Sequence, residues 1–140
     1  MKDYILDIDH LAGLMDRIEN LIRRIREANP SDSRFGTTVT ILGELYFMIR
    51  SSAQMDSNMA ALTELVNDLY VWDLDRGAAE ITGEILTQMR SLNRPISPIE
   101  AQIAAVARQR QAVLLSGSEH FNDVRDIEVQ NWLEAFPARR

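Results

Sequence analysis

Apolar positions along this 140-residue chain alternate between two spacings, short unbroken runs and a repeat of three to four residues, and each change of spacing marks a change of element. Tyr4-Ile5-Leu6 is too short for a helix and suits a buried parallel strand. From Asp9, read as an N-cap, Leu11, Leu14, Met15, Ile18, Leu21, Ile22 and Ile25 fall on one helical face, which stops at Asn29-Pro30. A polar loop from Ser31 to Gly36 leads into the β-branched, strand-like Thr37-Thr38-Val39-Thr40-Ile41. Helix follows over Gly43 to Ile49, with Glu44 in its first turn. Met55, Met59, Leu62, Val66 and Leu69 repeat at helical spacing before a third strand, Tyr70-Val71-Trp72. Asp73-Leu74-Asp75 caps the next helix, whose buried face would be Ala78, Ile81, Ile85, Met89 and Leu92, and which ends at Asn93.

The best-specified boundary comes next, in Arg94-Pro95-Ile96-Ser97-Pro98-Ile99-Glu100. Ser97 reads as the N-cap and Pro98 as the first helical residue, where its missing N–H costs nothing. Glu100 is the third position, reaching back to the cap. The apolar run Ala112 to Leu115 then predicts a strand, the loop Ser116 to His120 follows, and Glu128-Val129-Gln130 reads as an edge strand. Strands alternating with helices predict an α/β fold, a three-layer α/β/α sandwich on a mostly parallel sheet of four to five strands. One domain over residues 1–140 is expected, with 136–140 as a frayed tail.

Composition narrows the function classes. With 46% apolar and 26% charged residues the chain is ordinary for a folded protein. No apolar run would cross a bilayer, Met1-Lys2-Asp3-Tyr4 leads into a strand rather than a signal peptide, and cysteine is absent, so a cytoplasmic protein is expected. The net charge of −6 is the wrong sign for nonspecific phosphate binding. Nucleic acid would have to be handled at a local site or through metal ions.

In a parallel sheet, strand ends and the helix starts after them meet at one edge, which would gather Asp7, Asp9, Glu44 and Glu100. Such crowding is costly unless a cation or protons neutralise it. Oxygen ligands without cysteine favour Mg²⁺ or Mn²⁺, an ion that lowers the pKa of a bound water and stabilises charge at a phosphate. Each acid also has a structural reading. Asp9 serves equally as a helix cap, Glu44 favours a helix N-terminus, and Glu100 is accounted for by its capping box. Asp7 has no evident partner. His10 reads as an exposed helix-start residue, and His120, in the loop after Leu115, is within reach of the mouth of the site without being counted as part of it. Met48, Met55 and Met59 read as core filler, or, if exposed, as a seat for a partner helix. Arg108 and Arg110 would guide RNA or simply be solvated.

Ile5-Leu6-Asp7-Ile8-Asp9-His10-Leu11 resembles the opening of PIN-domain nucleases, usually a strand followed by Asp-Thr-Asn-Val-Leu. Val39-Thr40-Ile41-Leu42-Gly43-Glu44-Leu45 looks like their second motif, whose Gly-Glu-Leu carries an acidic ligand, and Arg94 to Glu100 is similar to their Arg-Pro-Ile-Gly-Pro-x-Asp turn. Val113-Leu114-Leu115-Ser116-Gly117-Ser118-Glu119-His120-Phe121 stands where the family has a strand and a Thr-Asp-Asn or Thr-Arg-Asn turn, and Val129-Gln130-Asn131-Trp132 resembles its last strand. The match runs from residue 4 to about 133, and VapC-type toxins of toxin–antitoxin pairs are the branch it most resembles.

The resemblance implies Mg²⁺- or Mn²⁺-dependent cleavage of RNA, with Asp7, Glu44 and Glu100 as the acidic triad, Asp9 as an additional acid, an antitoxin as partner and a homodimer as assembly. The chain departs from the pattern at Ile8 for Thr, Asp9 for Asn, Glu100 for Asp, Ser116 where many members carry a fourth acid, and Tyr46 and Phe47 where basic residues are frequent. These departures leave two rivals. One is a noncatalytic, degenerate PIN-like domain that binds RNA or a partner protein, and the other a phosphatase-like domain using the same acidic edge.

Overall fold

The computed structural model describes residues 1–134, and the expected frayed tail at 136–140 lies outside them. Five strands, β1 (Lys2–Leu6), β2 (Ser33–Thr38), β3 (Tyr70–Trp72), β4 (Val113–Leu115) and β5 (Glu128–Gln130), form one sheet in the order β3-β2-β1-β4-β5. All four pairings are parallel, so the sheet is wholly rather than mostly parallel. Six helices cover it: α1 (Ile8–Met15), α2 (Glu19–Glu27), α3 (Val39–Arg50), α4 (Met55–Val66), α5 (Arg76–Ser91) and α6 (Pro98–Arg110). The result is the three-layer α/β/α architecture. Its core is built from Ile5 and Leu6 of β1, Leu114 and Leu115 of β4, and a run of small residues on α6 (Ala101, Ala104, Ala105 and Ala107) that lets this helix lie close to its neighbours. Among the described residues no helix is long and apolar enough to cross a membrane.

Two boundaries differ from the reading of the sequence. The first helix is two. Arg17 takes a left-handed conformation (φ 56°), and the Ile18 N–H bonds to the Gly13 carbonyl while the Arg17 N–H bonds to that of Leu14, a Schellman closure of α1. The apolar period runs through the break because Leu11 and Leu21 enter the same core. The second strand also begins and ends earlier than expected. Ser33 to Gly36 pair with Lys2 to Ile5 despite their polarity, and Val39-Thr40-Ile41 is helical because the Thr38 hydroxyl accepts from the Ile41 N–H at 3.1 Å. Gly36 allows the β2–β3 approach, since a Cβ there would lie 2.5 Å from the Tyr70 carbonyl oxygen.

The α6 start is as read. The Ser97 hydroxyl accepts from the Glu100 N–H at 3.1 Å and Glu100 accepts from the Ser97 N–H at 3.0 Å. Chain order reverses on either side of β1, which puts the crevice of this fold at the carboxyl ends of β1 and β4, beside Asp7 and Ser116.

Candidate active site

Asp7 is the residue after β1 and the N-cap of α1, a role expected of Asp9. One carboxylate oxygen accepts from the Ile8 N–H at 2.8 Å, and the other from the Ser116 hydroxyl at 2.7 Å. The side chain is 7% exposed. Burial is the strongest influence on it and pushes its pKa up; the two donors offset this in part, and neighbouring Asp9 adds to the rise. A buried acid at the switch point of the sheet is thus held in place yet denied full solvation.

Glu44 lies in the second turn of α3, not the first as expected, because the helix starts at Val39; from there it feels the charges of both Asp7 and Glu100, the latter in the first turn of α6. Partial burial raises the pKa of Glu44, and repulsion from Asp7 and Glu100 raises it further. Glu100 goes the other way. Burial disfavours its charge, but the Ser97 N–H and the His120 imidazole, whose Nδ1 is bonded to a Glu100 carboxylate oxygen, outweigh burial and lower its pKa. The reach of His120 across the mouth is therefore real.

Asp9 lies beside this group and is engaged elsewhere. Its Oδ2 accepts from the Gly117 N–H at 2.7 Å and its Oδ1 is 2.7 Å from His10 Nδ1. Burial opposes the Asp9 charge, and these bonds overcome it to lower the pKa. His10 is fully buried, not exposed as its helix-start position suggested. Its Nε2 accepts from the Trp132 N–H at 3.0 Å, which leaves the proton on Nδ1, facing Asp9. Trp132, His10, Asp9 and Gly117 thus make a continuous clamp joining the segments after β5, β1 and β4.

The sequence pattern that defines the PIN domain matches residues 8–127. This chain belongs to the PIN-domain family. Among curated proteins it is similar to the tRNA(fMet)-specific endonucleases VapC of Shigella flexneri (26% identical over 117 residues, 82% of this chain and 89% of that one) and Salmonella typhimurium (28% over the same shares). Among solved structures it superposes on VapBC2 from Rickettsia felis bound to a DNA fragment from its promoter, with a TM-score of 0.86 over 93% of this chain and 98% of that one. Identity there is 17%, so this likeness speaks for the fold.

As a PIN domain, the chain presents the donor set of a hard divalent cation: carboxylate oxygens in mutual repulsion, with no thiolate. The donor chemistry fits such an ion. As the side chains stand, no three Asp, Glu or His groups among the described residues converge closely enough to hold one. Two of this PIN domain's departures have physical content. Ser116 donates a hydrogen bond to Asp7 where another acid would repel it, and Asp9 has two carboxylate oxygens, one for His10 and one for the Gly117 N–H.

Beside Glu44, an open cleft of about 490 Å³ is lined by Val39, Gly43, Phe47 and Met48 of α3 and Ile99 and Gln102 of α6. Phe47 is 72% exposed; Met48 and Met55 are also exposed, and only Met59 of the three methionines packs on the core. Arg108 and Arg110 belong to the scaffold: Arg108 donates to the Arg125 carbonyl at 2.6 Å, and Arg110 pairs with buried Asp3 at 3.2 Å and stacks on Trp72. The bonds from Ser116 and from His10 to Trp132 had no signal in the sequence, since each joins residues more than a hundred positions apart.

Proposed function

We propose that this chain is a divalent-cation-dependent endoribonuclease, the toxin half of a toxin–antitoxin pair, with Asp7, Glu44 and Glu100 as its metal-binding and catalytic acids. The observation that carries the proposal is buried Asp7 at the switch point of a PIN fold, fixed by Ser116, with Glu44 close enough to feel the charges of both Asp7 and Glu100. When bound, Mg²⁺ or Mn²⁺ would supply Lewis-acid stabilisation of charge on the scissile phosphate and a lowered pKa for water. Asp7 would be the central ligand. The Ser116 hydroxyl and the Ile8 N–H would keep its oxygens oriented, and Glu100 stays ionised through its Ser97 and His120 donors. Glu44, beside the charges of both Asp7 and Glu100, would share the ion with them.

The net charge of −6 gives RNA no general attraction to the surface, which makes a bound cation the natural anchor for phosphate. The names of the similar curated proteins make tRNA the first substrate to try. Solved relatives pair this fold with antitoxins, and the apolar cleft with exposed Phe47 is suited to such a protein partner. The test is cleavage of bulk tRNA by wild type and Asp7→Asn with EDTA, Mg²⁺ or Mn²⁺. Ion-dependent cleavage by wild type, reduced at least about 100-fold in Asp7→Asn, is expected. RNA binding that needs no ion and survives Asp7→Asn would overturn it in favour of a noncatalytic binding domain.

A further inference from the structure

The turn after β4 touches two of the three acids, and it does so through two different side chains. Ser116 Oγ donates to Asp7 and also accepts from the Ser118 N–H at 3.1 Å; Ser118 Oγ in turn accepts from the His120 N–H at 3.3 Å. This chain of bonds leads to the 3-10 turn Glu119–Phe121, which is anchored in the core by Phe121 at 1% exposure. His120 is therefore carried by a fixed backbone, although its own ring is 68% exposed.

Glu100 has one more rotatable bond than the Asp of the family pattern, and its carboxylate needs additional contacts to be held in one orientation. The Ser97 N–H engages Oε1 and His120 engages Oε2, so both oxygens are fixed from outside the acidic group. We infer that His120 is a positioning residue for Glu100, the counterpart of Ser116 for Asp7, and that it compensates for the longer acid at this position. The inference rests on the cation-binding reading above.

Mn²⁺ binding to the full chain, measured by isothermal titration calorimetry, tests it without any RNA substrate. His120→Ala is expected to weaken Mn²⁺ binding about 10-fold, as loss of a hydrogen bond that orients a ligating carboxylate does, while the ion-free melting temperature stays unchanged. His120→Asn, which places an N–H donor near the position of Nδ1, is expected to recover most of the loss. In an Glu100→Asp background the shorter acid no longer reaches the ring, and adding His120→Ala is expected to change affinity less than 2-fold, a coupling read by the double-mutant cycle. Equal binding by wild type and His120→Ala, or an equal loss in both backgrounds, would overturn the positioning role alone. Wild type that binds no Mn²⁺ at millimolar concentration would overturn the cation-binding reading with it.

Discussion

Ser116 Oγ donates a 2.7 Å hydrogen bond to Asp7 Oδ2, joining residues 109 positions apart at the carboxyl ends of two neighbouring strands. Both groups are nearly inaccessible, and the bond opposes the burial that raises the Asp7 pKa. Ser116→Ala removes the donor and leaves a buried carboxylate oxygen short of a partner, which costs about 1–3 kcal/mol. Urea unfolding at pH 7 without divalent ions measures this. A change below about 0.5 kcal/mol, the range of ordinary surface substitutions, would mean that water replaces the hydroxyl.

Asp7 itself should destabilise the ion-free protein at neutral pH. Its folded-state pKa is raised, so its contribution favours folding below the ordinary aspartate pKa and is lost as pH rises through the raised value. Asp7→Asn is therefore expected to stabilise the ion-free chain at pH 7 by roughly 1 kcal/mol. The gain should shrink as pH falls and Asp7 in the wild type takes up its proton. Melting temperatures between pH 4 and 8 in EDTA follow this; a gain that grew on acidification would reverse the sign.

His10 holds two segments by its two nitrogens, with Asp9 on one side and the Trp132 N–H on the other. His10→Leu keeps much of the volume but strands the buried Trp132 N–H and takes one partner from half-buried Asp9, which keeps the Gly117 N–H; the cost is about 1–3 kcal/mol, chiefly from the one buried orphan. Trp132 fluorescence and far-UV circular dichroism during urea unfolding measure the loss and show whether the segment after β5 detaches first. Stability equal to wild type would remove the clamp from the account.

At Gly36 an added Cβ would meet the Tyr70 carbonyl oxygen at 2.5 Å and the Trp72 ring at 2.7 Å. Backbone cannot yield as a flexible side chain can. Gly36→Ala is expected to cost about 2–3 kcal/mol, at the upper end of overpacking penalties, with an unchanged denaturant m-value.

Local signals explain what could be read from the sequence. The Ser97-Pro98-Ile99-Glu100 start is written into four adjacent residues, and the short apolar runs at 4–6 and 113–115 become central strands that bury them, whereas 70–72 forms the sheet edge with only Trp72 buried. Asp7 follows a strand end and Glu100 opens a helix, which local signals show, whereas Glu44 stands in the second turn of a helix that begins earlier than expected; the resemblance, not spacing, singled the three out together, and Glu44 feels the charges of the other two. The break at Arg17 was hidden because two helices facing one core keep a single apolar period. The early end of β2 was hidden because β-branched Val39-Thr40-Ile41 favours a strand on its own, whereas the Thr38 cap commits it to helix. The burial of His10, the clamp through Asp9 and the hold of Ser116 and His120 on two acids depend on contacts between distant segments, which periodicity does not record.

Whether Asp7, Glu44 and Glu100 hold a cation is decided by a thermal-shift titration with Mn²⁺ and Mg²⁺ on wild type and Asp7→Asn. An ion that binds the folded state alone stabilises it by about 2.7 kcal/mol at a hundred times its Kd. The melting temperature of wild type is expected to rise with added ion and fall back with chelator, and the rise to be lost in Asp7→Asn. A flat wild-type curve up to millimolar ion, or an equal rise in Asp7→Asn, would contradict a cation site at these acids.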